Sequence, residues 1–285
     1  MTIAFEPLST DTDAPARSAV MELARIESFR MLRRLSIWLG FILSVVLTVA
    51  TARQTEDWSG QKYQSLVPLS VYPMTLGVFV AGVRSGNRDR SHRRPPLAEE
   101  APLDGDARAW ARLVSLCVPV GMVVSLMAVI GAVSRVEGGL QLGEGRSWTN
   151  SAVHSLFELA QPALSIAVVG AAAVAVGRGV RRSGPAIVVG MVLLFFTGGA
   201  YWLWNERVVY TTALLQVQPL GWPVNEAVHT PTAVLHDLYL LGMVALFCGL
   251  SLRTRPRARL VGGGAALAIA AIIAQLVVAP FFEMS

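Results

Sequence analysis

Six uncharged, apolar stretches are the strongest constraint on the fold of this chain, because a helix needs about 20 such residues to cross the hydrocarbon of a bilayer. They cover residues 35–52, 63–83, 113–134, 159–177, 183–205 and 260–282. A seventh, 238–252, reaches membrane length only if its helix begins near Ala233 and includes His236 and Asp237. The composition, 53% hydrophobic and 15% charged, is also typical of a membrane protein. We expect an all-α polytopic membrane protein with seven transmembrane helices.

The basic residues orient these spans, since cytoplasmic loops retain Lys and Arg. With the N-terminus inside, only five of the 24 Lys and Arg residues lie outside: Arg53, Lys62, Arg135, Arg146 and Arg207. An odd number of spans then places the C-terminus outside. Residues 1–19 carry acidic side chains and no apolar core, so a disordered cytosolic tail is expected rather than a signal peptide.

Two kinds of chemistry are excluded by residue type. The sole lysine, Lys62, follows Gln61, so the chain lacks the Gly-Lys pair of a phosphate-binding loop. Cys117 and Cys248 both lie in apolar runs and are expected to be packed thiols, not a disulfide or a zinc site. The formal charge of +5 reports membrane topology, so no nucleic-acid partner is expected.

Residues 20–34 carry too many charges to cross, and they predict an amphipathic interfacial helix on the inner membrane surface. Its apolar arc comprises Val20, Met21, Ala24, Ser28, Met31, Leu32 and Leu35, with Glu22, Arg25, Glu27, Arg30, Arg33 and Arg34 outside the arc. A cytosolic extension of the first span is the alternative.

The longest cytosolic connection, residues 84–112, combines a basic half with a double proline at 95–96. The prolines stop a helix, and Asp104 or Asp106 can cap the next one. The intervening residues have room for about two helical turns: Leu97, Ala98, Glu99, Glu100, Ala101, Pro102 and Leu103. Such an element suits docking to a cytosolic partner, and a solvated charged loop is the alternative.

Two regions of the outer half attract a functional interpretation. Residues 206–232 are too broken to span and too apolar for a free loop, which indicates a re-entrant or lid segment. His154, His229 and His236 lie near acids on this side, but no compact ligand spacing occurs, so no metal site is predicted. His236 and Asp237 remain the candidate polar outer site, and Asp237 can alternatively face water.

Aromatic and methionine side chains in the second and fifth spans suit a pathway for an amphipathic or lipid-like molecule. The residues are Met74, Phe79, Phe195, Phe196 and Tyr201. Trp202 and Trp204, beside them, are typical of membrane-interface anchors.

This layout resembles the permease subunits of type-2 ATP-binding-cassette (ABC) exporters, particularly small Arg-rich actinobacterial ones. The resemblance covers residues 20–255 and rests on the pattern of elements. Its features are the surface helix around 24–30, the second cytosolic loop with 98–103, the tight turn 178–182, and the broken external segment ending at 236–241.

The resemblance implies a six-helix core over residues 35–255 in a bacterial plasma membrane. It also implies that the protein exports an amphipathic small molecule, antibiotic or lipid-like compound. It implies that Arg25, Phe29, Arg30 and the 97–103 element contact a separate cytosolic ATPase, present in two copies, which binds ATP and Mg. A second permease, identical or paralogous, would pair so that spans two and five line the path. This chain itself would carry no catalytic site and no cofactor.

The departure from that family is the additional seventh span within residues 256–285, where Gly262, Ala266, Ala270 and Ala274 form a small-residue stripe suited to close helix packing. Two other functions stay open: a membrane-embedded enzyme using the outer His and acid cluster, and a non-transporting sensor or assembly subunit. The substrate and the direction of transport also stay open.

Overall fold

The computed structural model describes residues 13–54, 60–90, 104–136, 140–142, 152–154, 156–199, 230–254 and 256–278. Its helices are α1 (Asp13–Leu32), α2 (Leu35–Gln54), α3 (Gly60–Gly86), α4 (Gly105–Val114), α5 (Cys117–Val136), α6 (Leu156–Gly179), α7 (Ser183–Gly199), α8 (Thr230–Leu250) and α9 (Pro256–Val278). A 3₁₀ turn, Asn87–Arg90, continues α3. Two short strands, β1 (Leu140–Leu142) and β2 (Ala152–His154), pair in parallel between α5 and α6. Apart from these strands and the connecting turns, the described residues are helical.

Four of the described stretches are long and apolar enough to cross a membrane. They are Gly105–Val133, which joins α4 to α5, Leu159–Gly179, Ala233–Leu250 and Pro256–Val278. α1 and α2 meet at 57° and add a fifth if this bent pair is one span. The chain therefore has the helices of a multi-pass membrane protein. As the sequence required, the span in α8 includes His236 and Asp237.

Every second connection between the helices lies at the same end of the bundle, which we call the basic end. It comprises the α1–α2 turn at 33–34, the 3₁₀ turn after α3, the start of α4, the α6–α7 turn at 180–182 and the α8–α9 turn at 251–254. Side-chain contacts join these segments; for example, Asn87 donates to the carbonyl oxygen of Arg181 at 3.4 Å. The arginine-rich segments of the sequence thus share one end of the fold.

Glycines allow the central helices to approach each other closely. A Cβ built on Gly177 of α6 would lie 3.0 Å from the Cα of Gly86 in α3, and one built on Gly242 of α8 would lie 2.7 Å from the backbone nitrogen of Ala268 in α9. Neither position has room for a methyl group. Without a hydrophobic force to associate helices in lipid, such backbone contact is a principal source of packing energy.

Several helix boundaries differ from those expected. α1 begins at Asp13, so residues 13–19 of the predicted tail are helical. α3 and its 3₁₀ turn extend to Arg90, and α4 begins at Gly105, so both ends of the predicted loop 84–112 are helical. The predicted 97–103 element and nearly all of the re-entrant segment 206–232 lie outside the described residues.

The added helix α9 packs on α8 through Gly264, Ala268, Ala271 and Gln275, which are buried. Gly262, Ala266 and Ala270 of the expected small-residue stripe are exposed, and a Cβ on Gly262 would have nothing within 4 Å. Both sets of small residues recur at helical spacing. Helix α9 therefore packs against α8 of the same chain, through a face neighbouring the one that the sequence suggested.

Candidate functional site

The basic end holds the densest group of buried charges among the described residues. Asp104 and Asp106 stand at the start of α4, immediately after the long loop, and their two side chains have different roles. Asp104 is the N-cap: its Oδ1 accepts a hydrogen bond of 2.6 Å from the backbone N–H of Ala107. The capping prediction is confirmed for Asp104, which satisfies an otherwise unpaired helical donor.

Asp106 instead reaches across to the turn between α8 and α9. Its carboxylate accepts the backbone N–H groups of Arg253 and Thr254 at 2.9–3.1 Å and the Thr254 hydroxyl at 2.6 Å. These bonds satisfy donors of a turn that follows the C-terminus of α8. Since a carboxylate that accepts several hydrogen bonds is held firmly in place, Asp106 fixes the start of α4 to this turn.

Arg178, near the C-terminus of α6, completes the same cluster. Its Nη2 lies 3.5 Å from Oδ1 of Asp106, and its Nη1 donates to the carbonyl oxygen of Gly105 at 2.6 Å. Both charged side chains are less than a tenth exposed. The end of the long loop is therefore bound to α6 and to the turn between α8 and α9 through one carboxylate and one guanidinium.

The start of the same loop is anchored by a second buried acid. Glu27 of α1 accepts hydrogen bonds from Arg88, at 2.9 and 3.1 Å, and from Arg30, at 2.6 Å. The Glu27 side chain is only 5% exposed. Its assignment to the polar side of the helix was wrong: Glu27 lies between Ala24 and Met31 on the buried stripe, and α1 packs on α4 through this stripe.

Arg34, in the turn between α1 and α2, links these two helices to α3. Its guanidinium donates to the carbonyl oxygen of Ala81. Burial, and next the positive charge of Arg88, lowers the pKa of Arg34 to about 10. Arg34 is therefore still cationic at neutral pH, and it contributes to the excess positive charge of this end.

Next to these buried contacts, α1 presents an exposed surface. Arg25 and Arg30 are exposed, and the Phe29 side chain is 55% exposed between them. These are the three α1 residues that the sequence analysis assigned to ATPase docking. The structure places them together on the outward side of α1, while Glu27 points inward to Arg88 at the start of the long loop.

The residues predicted to line a transport path are only partly described. Met74 is fully buried in the central packing, and Phe79 is 5% exposed, with its ring against Gly190 of α7. The side chains of Phe195 and Phe196 and all of Tyr201 lie outside the described residues. In this single chain Met74 and Phe79 are therefore core residues, and only Phe79 also borders a groove, between α3 and α7.

The polar outer site contains one partner that the sequence did not suggest. Nδ1 of His236 lies 3.3 Å from Oε1 of Gln275 in α9, and both side chains are buried. Nε2 of His236, Nε2 of Gln275 and Oδ1 of Asp237 are buried without a hydrogen-bond partner among the described residues. Within that part of the chain, no three His, Cys, Asp or Glu residues form a group that could hold a metal ion.

Sequence reasoning missed the pairs Glu27–Arg88, Asp106–Arg178 and His236–Gln275. One signal was present for Glu27, because its spacing from Ala24 and Met31 places it on their face of the helix. The other pairs join positions dozens of residues apart, for which a single sequence carries no sign of contact.

Comparison with known proteins adds no relative. No protein-family profile, no curated protein and no solved structure matches this chain.

Proposed function

We propose that the chain is the membrane-spanning permease subunit of an ABC transporter and that its basic end is the docking platform for a cytosolic ATPase. In this proposal the chain has seven spans, with its N-terminus inside and its C-terminus outside, in a bacterial plasma membrane. It works as a pair, either two identical chains or this chain with a paralogue. ATP and Mg are bound by the partner ATPase.

The observation that carries the proposal is the anchoring of the loop between α3 and α4 at both ends. Arg88 ties its start to Glu27 of α1, and Asp106 ties its end to Arg178 and Thr254. A displacement of this loop would therefore be passed to α1, α6, α8 and α9 at once. A subunit driven by a separate motor needs such a connection between its contact surface and its spans.

The shared position of the arginine-rich turns supports the proposed orientation. Short segments rich in Arg are retained on the cytoplasmic side, and here they collect at one end of the bundle. Going along the chain, α2, α4–α5, α7 and α9 start at this end while α3, α6 and α8 finish there. That alternation is what an arrangement of seven spans requires.

The substrate class follows from the apolar character of the helices that would face a shared cavity. Val188 and Val192 of α7 are exposed aliphatic side chains outside the groove between α3 and α7, and among the described helices α7 packs most closely on α3 and α6. A pathway with few polar groups favours amphipathic molecules, such as a hydrophobic antibiotic or a lipid-like compound. Export is the proposed direction.

Charge reversal in the loop tests the docking proposal. Glu99→Arg combined with Glu100→Arg should lower copurification of the ATPase without changing the amount of permease in the membrane, because a complementary interface would become repulsive. Glu137→Arg combined with Glu144→Arg reverses the same number of acids in the connection that the proposal places outside the cell, and it is the matched control. Undiminished ATPase binding by the double variant would instead indicate a solvated loop without a docking role.

A further inference from the structure

An apolar groove of about 390 Å³ lies between α3, α6 and α7. Phe79 forms its floor, and Val176 of α6 and Val189 and Leu193 of α7 form its walls. Gly190 leaves the space that the Phe79 ring occupies against α7. The groove is open to the outside of the bundle, on a side where Val189 and Leu193 are each 59% exposed.

One charged side chain borders this groove. Arg182, in the α6–α7 turn at the basic end, contributes to its lining and is exposed. Among the described residues no acidic side chain pairs with Arg182. A guanidinium that no acid in the described part of the chain neutralises, at one end of an apolar groove, is complementary to a molecule with an anionic head and a hydrocarbon tail.

The length of the groove matches one leaflet of a membrane. From Arg182 to Leu193 is eleven residues, or about 16 Å along a helix at about 1.5 Å per residue. Half of the hydrocarbon core is about 15 Å thick. With Arg182 at the depth of the headgroups, Leu193 would lie near the bilayer centre, which is the span of one acyl chain.

We propose that this groove binds one anionic phospholipid, with the phosphate on Arg182 and an acyl chain along Phe79, Val189 and Leu193. Basic positions beside transmembrane helices on the cytoplasmic side are suited to anionic headgroups. The site is independent of transport, since a sensor or an enzyme with this fold would bind the same lipid.

Native mass spectrometry of the full chain in detergent tests this proposal with phosphatidylglycerol and phosphatidylcholine of identical acyl chains. The wild-type chain should retain phosphatidylglycerol about tenfold more tightly. Both lipids present a phosphate to Arg182, but the ammonium of the choline group cancels the net charge of phosphatidylcholine and is repelled by the guanidinium. Arg182→Gln should remove this preference and Arg182→Lys should keep most of it. Arg181→Gln, one residue away but outside the groove lining, is the matched control and should behave as wild type.

Filling the groove separates a lipid site from a simple anion site. Val189→Trp keeps Arg182 but occupies the space of the chain, so it should weaken retention of both lipids. Equal retention of the two lipids by wild type, or an unchanged preference in Arg182→Gln, would overturn the proposal. Displacement of phosphatidylglycerol by millimolar inorganic phosphate would also overturn it, because the site would then bind only an anion. So would dissociation of a dimer by Val189→Trp, because a second copy of the chain would then occupy the groove.

Discussion

Thr254 donates its hydroxyl hydrogen to Oδ2 of Asp106 at 2.6 Å, across 148 positions of the chain. Asp106 begins the helix that follows the long loop, and Thr254 lies in the turn that leads into the added helix α9. This bond connects the end of the long loop between α3 and α4 to the turn between α8 and α9. The added helix is therefore tied into the basic end and packs along α8 as well.

Replacing Asp106 tests the strength of this connection. Asp106→Asn places an amide group where three donors converge, the backbone N–H groups of Arg253 and Thr254 and the Thr254 hydroxyl, and it removes the charge beside Arg178. A buried donor left without an acceptor costs roughly 1–3 kcal/mol, so thermal unfolding in detergent should shift downward by several degrees. Asp104→Asn is the control, because Asn caps a helix as well as Asp and its unfolding temperature should be unchanged. Equal unfolding temperatures of the two variants would show that the contacts of Asp106 do not stabilise the fold.

Gly177 tests the close packing of α6 on α3. Its Cβ in Gly177→Ala would meet the backbone of α3 around Val83 and Gly86, and backbone atoms cannot yield as a flexible side chain can. We expect roughly 1–3 kcal/mol of destabilisation, typical of an overpacked contact. Gly179→Ala, two residues later, would have nothing within 4 Å and should change stability by less than about 0.5 kcal/mol. The comparison can be made by unfolding in a denaturing detergent, and a harmless Gly177→Ala would contradict the packing described.

The pair His236–Gln275 should show the asymmetry of a buried hydrogen bond. Gln275→Leu removes the described partner of His236 and should destabilise the chain by about 1 kcal/mol, in the range of polar contacts between transmembrane helices. Adding His236→Leu should recover part of that loss, because no polar group is then left unsatisfied. A double variant that is less stable than the sum of the single ones would indicate that each side chain has another partner.

The orientation predicts which positions reagents can reach in intact cells. In a background with Cys117→Ser and Cys248→Ala, single cysteines at Gly143 and Asn225 should react with a membrane-impermeant maleimide. A cysteine at Ser91 should react only after the membrane is permeabilised. Reaction of the cysteine at position 91 in intact cells would indicate the opposite topology, in which the basic end does not face the cytosol.

The elements of this fold could largely be predicted, because span length and apolar composition are local properties. The span at 159–177 is observed as Leu159–Gly179, and the span that takes in His236 and Asp237 as Ala233–Leu250. The Asp104 cap was also readable, since it depends on residues within one turn. The packing face of α9 could not be predicted. Gly262 and Gly264 begin two small-residue stripes, and the sequence alone does not show which stripe contacts another helix.

The candidate site was harder to predict than the spans. The surface helix that carries Arg25, Phe29 and Arg30 could be predicted, because a charged stretch before an apolar run is a local pattern. A docking role for these three residues came only from the resemblance to ABC permeases, and the structure places them on the exposed side of α1. What supports them could not be named, because Glu27, Arg88, Asp106 and Thr254 meet only after the helices have packed. The charges that anchor the loop are thus a property of the tertiary fold.

The central claim, that the basic end is the surface on which a cytosolic ATPase docks, is tested most directly by site-specific photo-crosslinking in native membranes. A photoreactive phenylalanine analogue at Phe29, exposed on α1 at that end, should crosslink to a nucleotide-binding subunit. The same analogue at Val133, exposed toward the far end of α5, should not. If Phe29 captures no nucleotide-binding protein, or if Val133 captures it equally, the basic end is not the docking platform.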